Sequence, residues 1–388
     1  MIEFLVKKFV PDKDNIHDPQ VRQRYGTLGS SVGILCNVVL FAVKFISGLM
    51  TGAISIMADA MNNLSDAGSS VVTLIGFYMA GKPADLDHPF GHGRIEYLSG
   101  LFVAVAILFM GVELFKTSVD KILHPEDVQV TLFSVAILVL AILLKFWMAH
   151  FNRVLGERIS SEAMKATAAD SLSDCVATAA VLGGMIVTYF TGKNIDGFVG
   201  ILVALFVLNA GYGAAKDTIQ PLLGTAPEPD LIEGIQKCVM SYDKVRGIHD
   251  LIVHDYGPGR RMISLHAEVS YKEDILELHE EIDVIERELM DRFQCMATIH
   301  MDPIVTDDVD VIQAKDNVKA ILKSMDDRWK FHDFRMVKGK KSSNVIFDVV
   351  IPMEQMKEKN KIEERIRKKI HETYPKYNVV VTVEQSYT

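Results

Sequence analysis

Apolar residues dominate the chain up to about residue 220 and then give way to alternating and charge-rich patterns. Six apolar stretches stand out: Val32–Met50, Ile54–Ala80, Leu98–Val119, Val130–Ala149, Ala163–Phe190 and Val199–Ala215. An α-helix needs roughly 20 such residues to cross the hydrocarbon core of a bilayer, so the pattern predicts a membrane α-helical bundle of six transmembrane helices. The second and fifth stretches are impure. They carry Asn62 with Asp66 and Asp170 with Asp174, and many small residues, among them Ala58, Ala60, Gly68, Ser69 and Ser70 in one and Ala166, Ala168, Ala169, Gly183 and Gly184 in the other. Small side chains let membrane helices approach closely, so these two are expected to be neighbours lining a polar seam while the others shield them from lipid.

Past Pro221 and the Pro227-Glu228-Pro229 linker the period changes. Leu231–Ser241 and Ile275–Phe293 read as amphipathic helices, and Gly247–His254, Met262–Ser270 and Ala297–Met301 as strands, an order that suits a small α+β sandwich. The same order then recurs: helices at Val311–Ser324 and Lys359–Thr373, strands at Phe331–Val337, Val345–Ile351 and Val379–Glu384. His249-Asp250-Leu251 aligns with His332-Asp333-Phe334, which points to a duplicated module. The expected domains are a cytoplasmic N-terminal segment at 1–28, the six-helix domain at 29–220, an α+β domain at 221–304 and its second, degenerate copy at 305–388.

Composition narrows the function. Of 388 residues 49% are hydrophobic and the net charge is -9, which argues against a nucleic-acid surface. Cys36, Cys175, Cys238 and Cys295 are scattered, with neither a CxxC pair nor a disulfide framework. Met1–Arg24 is polar and charged, so no secretory signal peptide is expected ahead of the first apolar run. Lys7, Lys8, Lys13, Arg22 and Arg24 precede the first helix, Lys82 and Arg94 follow the second, and Arg153 and Arg158 follow the fourth, whereas the intervening loops are poor in basic residues. By the positive-inside rule both termini should be cytoplasmic.

Three groups of residues carry chemistry. Within each acidic pair the spacing is four, which stacks Asn62 over Asp66 and Asp170 over Asp174 on one helix face. Carboxylates within a bilayer are costly and are kept where they face a bundle interior and serve an ion or proton path. One amide and three carboxylates, with neither imidazole nor thiolate, suit Mg²⁺, Ca²⁺ or Mn²⁺, and among transported first-row ions Mn²⁺ fits best. The bland alternative is interhelical hydrogen bonding alone. Asp59, one turn earlier, either lines the outward half of the path or sits solvated at the interface. The second group is the loop Asp85-Leu86-Asp87-His88-Pro89-Phe90-Gly91-His92-Gly93-Arg94, where Asp85, His88 and His92 either hold a metal at the cytoplasmic mouth or only shape the interface. The third is His249, His266, His279, His300 and Asp302, a dense share of the chain's 12 histidines spread over one small sandwich. In the second copy the counterparts of His266, His279 and Asp302 are Asp348, Asn360 and Glu384, so that copy is expected to lack a strong imidazole site.

Over about residues 10–304 the chain resembles the cation diffusion facilitator family of divalent metal exporters. The paired motifs on the second and fifth helices, the His-Pro-Phe-Gly-His-Gly loop and the Ile-His-Met-Asp-Pro ending at Ile299–Pro303 carry the resemblance. It implies a transport site at Asn62, Asp66, Asp170 and Asp174, a loop site at Asp85, His88 and His92, and a cytoplasmic site from His249, His266, His279, His300 and Asp302. It also implies a ferredoxin-like, metallochaperone-like cytoplasmic domain, a homodimer in a cell membrane, and metal export in exchange for protons. Two features depart from the family. Zinc-carrying members usually place a histidine in the intramembrane quartet, and this chain has none, which resembles the manganese branch; the 305–388 module extends past the common architecture. The expected function is Mn²⁺ efflux, with the same machine carrying Zn²⁺, Fe²⁺ or Co²⁺ as the nearest alternative. A membrane-tethered metal sensor is a more distant class. An enzyme is not expected, since the acidic quartet comes without a Ser/His or Cys/His nucleophile pair or an HExxH helix.

Overall fold

The fold is taken from a computed structural model that describes residues 2–16, 18–51, 54–124, 132–191, 196–339 and 342–386. The Asp59 side chain and the start of the fourth apolar stretch, Val130 and Thr131, lie outside the described residues. The chain forms two compact units, Met1–Thr225 with Asp255–Arg260, and Ala226–His254 with Arg261–Thr388.

The first unit is helical: α1 (Ile2–Phe9), α2 (Pro19–Thr51), α3 (Ile54–Ala80), α4 (Ile95–Leu123), α5 (Leu132–Arg158), α6 (Glu162–Thr191) and α7 (Asp196–Leu223). Among the described residues, four helical segments are long and apolar enough to cross a membrane, Pro19–Ser47, Ile95–Leu123, Val135–Arg158 and Gly197–Leu223. The remaining long helices, α3 with 27 residues and α6 with 30, are those with the acidic residues. The ends follow local chemistry. The Asp18 carboxylate accepts from the Gln20 amide at 2.6 Å with Pro19 opening α2, Ser161 Oγ accepts from the Met164 amide ahead of α6, and Gly224, at φ +96°, ends α7.

Helix α1 was not expected from the sequence, because eight residues carry too little periodic signal. Its Val6, together with Val10 just beyond it, is buried against Val21, Tyr25 and Leu28 of α2, Phe77 of α3 and Phe151 and Leu155 of α5. Close by, the buried Arg22 guanidinium pairs with Glu96 of α4 at 3.1 Å and donates to the Ile159 carbonyl after α5. On the other side Val103 and Ile107 of α4, Ala166 of α6 and Val203 and Val207 of α7 form a second core. The approach of these three helices is set by Gly100: a Cβ there would stand 2.9 Å from Ala163 Cα and 2.8 Å from Thr218 Cγ2.

The second unit holds α8 (Pro229–Val239), β1 (Val245–Asp255), β2 (Arg261–Ser270), α9 (Ile275–Phe293) and β3 (Cys295–Ile304), then α10 (Val309–Met325), β4 (Lys330–Val337), β5 (Ser343–Ile351), a 3₁₀ turn at Met353–Glu358, α11 (Lys359–Thr373) and β6 (Tyr377–Gln385). Two three-stranded sheets result, ordered β1-β2-β3 and β4-β5-β6, with β2 parallel to β3 and β5 parallel to β6. Each sheet keeps its own core. Ile263, Leu265 and Ala267 of β2 and Ala297 and Ile299 of β3 meet Ile282, Ile285 and Leu289 of α9. Val345, Phe347 and Val349 of β5 and Val381 and Val383 of β6 meet Ile362, Ile366 and Ile370 of α11. Each strand starts one or two residues before the sequence expectation, whereas β2, β4 and β5 end where expected; β3 departs most, running from Cys295 to Ile304 where the pattern suggests Ala297–Met301.

Replacing Gly100 by Leu should destabilise the protein by about 1–3 kcal/mol through overpacking. The same change at Gly213, where no atom of the described residues lies within 4 Å of the position a Cβ would take, should be nearly neutral. The midpoint of thermal unfolding of the detergent-solubilised chains checks the contrast.

Candidate metal-binding sites

The acidic residues of α3 and α6 do converge. Ligand oxygens of Asp66, Asp170 and Asp174 lie within 4.8 Å of one another, and Thr73 and Thr167 hydroxyls meet at 3.4 Å between the same helices. Asp66 and Asp170 are each 5% exposed, so neither carboxylate has bulk water to solvate it. Asn62 stands one turn before Asp66 and is exposed.

A residue that sequence reasoning missed completes this cluster. Lys145, on α5, sends its buried ammonium to Asp66 Oδ2 at 2.7 Å and Asp174 Oδ2 at 2.6 Å. The signal was present: Lys145 follows the unbroken apolar run Val135–Leu144 and precedes Phe146–Ala149, and a charge set inside such a run requires a partner. The partners are 79 and 29 residues away, so periodicity within one helix does not find them.

The loop between α3 and α4 gathers Asp85, His88 and His92, again with ligand atoms within 4.8 Å. Asp85 Oδ1 accepts from the His88 amide at 2.7 Å and stands 3.2 Å from His88 Nδ1, while Oδ2 is 3.3 Å from His92 Nε2. The His88 amide is the main reason the Asp85 carboxyl is held below its usual range, and the imidazoles of His88 and His92 add to it. Gly91, at φ +81°, supplies the left-handed turn that brings His92 back onto Asp85.

The third group is arranged by the strand pleat. Leu265 and Ala267 enter the core, so His266 faces away from it; Ile299 enters the core, so His300 does likewise, and the two are register partners on β2 and β3. Asp302 then bridges three imidazoles: its Oδ2 lies 3.1 Å from His249 Nε2 and 2.8 Å from His266 Nδ1, and its Oδ1 3.3 Å from His300 Nε2. Burial disfavours a charged His249 ring, yet the hydrogen bond to Asp250 and the charges of Asp250 and Asp302 outweigh it and hold its pKa above the usual value. His279 is not brought into this group. It sits on the exposed face of α9, with Nδ1 3.2 Å from Asp283 one turn on.

Set beside known proteins, the profile of the cation efflux transmembrane domain matches residues 30–223, half of the chain, and that of the cation efflux protein cytoplasmic domain matches residues 227–304. The protein belongs to the cation efflux, or cation diffusion facilitator, family. An uncharacterized transporter of Methanocaldococcus jannaschii is 31% identical to this cation efflux protein over 273 residues, covering 70% of this chain and 96% of the relative. The cation-efflux pump FieF of Cronobacter sakazakii is 27% identical over 72% of this chain and 94% of its own, and that of Klebsiella pneumoniae subsp. pneumoniae 26% identical over 73% and 95%. Membership makes this a membrane transporter of cations with a helical membrane domain followed by a cytoplasmic α+β domain. Residues 305–388 fall outside both family profiles.

The Lys145→Met variant should lose about 3–5 kcal/mol of stability, since it strands buried carboxylates without a cation. Combining it with Asp174→Asn, which removes one of those charges, should recover part of the loss. Thermal unfolding of the purified variants without added metal measures both.

Proposed function

We propose that the protein exports Mn²⁺ from the cytoplasm through Asn62, Asp66, Asp170 and Asp174, in exchange for protons. The observation that carries this reading is the oxygen-only donor set of three clustered aspartates between α3 and α6. Hard carboxylate oxygens suit Mn²⁺, whose coordination tolerates water and amide oxygen in the remaining positions. Asn62, one turn before Asp66 on α3, completes the shell as the ion passes, which the four-residue spacing supports.

Charge balance suggests the coupling. Three carboxylates oppose a single ammonium, leaving up to two negative charges uncompensated in a buried seam. A divalent ion fills that deficit; in its absence protons on the carboxylates do so. Loading from the cytoplasm thus releases protons, and protons arriving from the opposite side expel the metal after the helices rock. Lys145 is the fixed counter-charge in both states. The full proposal has six transmembrane helices in the plasma membrane with both termini cytoplasmic, and domains at 1–28, 29–220, 221–304 and 305–388, the last a second copy of the α+β module. A homodimer is formed through the cytoplasmic domain, with lipid around the bundle. The loop trio Asp85, His88 and His92 and the cytoplasmic group His249, His266, His300 and Asp302 bind metal as accessory sites, with His279 standing apart from them on α9. Their imidazoles favour softer ions such as Zn²⁺, Fe²⁺ or Co²⁺, which supports transport of those ions as the second reading.

In proteoliposomes the parent should carry Mn²⁺ with a pH change of opposite direction, and Asp174→Asn should reduce flux to near background while the folded protein survives. Zinc flux without manganese flux rejects the metal assignment, and metal flux that neither moves protons nor responds to an imposed pH gradient rejects antiport. Asn62→His should shift competition between the two ions toward Zn²⁺.

A further inference from the structure

The two sheets of the second unit meet through their open faces. His249 of β1 and His332 of β4 stack with ring centroids 4.5 Å apart and planes 29° from parallel. The residue after each, Asp250 and Asp333, has a φ of 50°, so the same left-handed kink occurs in both strands. In β4 the register slips between His332 and Arg335, a bulge that lets Phe334 enter the core while His332 stays on the open face. On β6, Val381 and Val383 are buried, so Glu384 emerges beside His332 on that face.

The contacts there are those of a ligand set. His332 Nε2 is 2.8 Å from Glu384 Oε1 and 3.7 Å from Asp250 Oδ1, and His249 Nδ1 is 3.3 Å from Asp250 Oδ2. Donors held at 2.0–2.1 Å around a tetrahedral ion stand roughly 3.3 Å apart, so small adjustments suffice to admit one. His332 is 8% exposed and, among the described residues, its Nδ1 has no hydrogen-bond partner, which leaves one edge of a buried imidazole unanchored. An ion pair alone accounts poorly for two stacked imidazoles flanked by carboxylates from two further positions, Asp250 on β1 and Glu384 on β6.

We propose that His332 and Glu384, from the segment beyond the family profiles, join Asp250 and His249 in a divalent transition-metal site that ties residues 305–388 to the preceding α+β module. Two nitrogens and two carboxylate oxygens make a donor set suited to Zn²⁺ or Co²⁺. His249 lies between this site and the one at Asp302: Nδ1 serves the first and Nε2 the second. The two sites therefore compete for one ring, and His266, His300 and Asp302 remain as three ligands when His249 turns to Asp250. The C-terminal segment thereby acquires a metal-dependent attachment that it does not obtain from its own core.

The test uses the full-length protein in detergent, dialysed to equilibrium against Zn²⁺ alone, with bound metal counted per chain. Glu384→Gln and His332→Ala should each bind one Zn²⁺ fewer than the parent, the double variant no fewer than either single one, and His371→Ala, on the exposed face of α11, the same as the parent. Asp250→Asn, which suits a left-handed position, serves as a further variant should His332→Ala fail to fold. Co²⁺ in place of Zn²⁺ should give a ligand-field absorption band in the parent that weakens in these variants. Unchanged stoichiometry and an unchanged Co²⁺ spectrum in folded Glu384→Gln and Asp250→Asn overturn the proposal. The readout is bound metal, so a wrong metal assignment at the aspartate trio leaves this outcome intact.

Discussion

The membrane part of this protein depends on one electrostatic constraint: carboxylates sunk among apolar helices must be matched by positive charge. Lys145 meets it for two of the three aspartates. The match is incomplete: one ammonium faces three carboxylates. A fully neutralised cluster would be a structural rivet, whereas one short of positive charge binds whatever cation can reach it. The flanking helices contribute by keeping water out and by holding α3 and α6 at the separation that the small residues and the Thr73–Thr167 contact permit.

In the second unit the organising rule is the two-residue period of a strand. Every second side chain is committed to a core of Val, Ile, Leu and Phe, which frees the alternate positions for imidazoles and carboxylates without weakening the sheet. His266, His300 and Glu384 stand opposite residues that pack the helices. Chemistry and stability are thus written on opposite faces of the same strands, and residues on the open face can diverge between the two sheets while the buried face stays apolar. The kinks at Asp250 and Asp333 are where this division is bent, so that a histidine beside each turns toward the other sheet.

Long periodic elements and local spacings were legible in the sequence: α9 and α11 begin and end where the pattern placed them, and the four-residue spacing of Asp170 and Asp174 foretold a shared face that the structure brings to Asp66. What escaped has a common cause, which is dependence on contacts remote in the chain. Lys145 carries meaning only with its partners on other helices. His332 and Asp250 belong to separate sheets, and their own strands give no hint that the faces meet. His279 shows the converse, a residue whose type fits a ligand set that its position on α9 keeps it from joining. Helix α1 is too short to announce itself and is held by the residues it packs against.

The clasp at Arg22 bears on how the chain is made. Its guanidinium rests on Glu96 and on the carbonyl of Ile159, 137 residues later. At synthesis rates of about 5–20 residues per second the interval between the two ends is about 7–27 s. Glu96 follows 74 residues after Arg22, so for the later part of that interval the arginine has its carboxylate but not its carbonyl, and the contacts of α1 with Phe151 and Leu155 of α5 are not yet made. The amino-terminal end of the bundle is therefore among the first parts translated and among the last to settle, and the insertion machinery must tolerate an unfinished polar joint for the time it takes α2 to α5 to emerge.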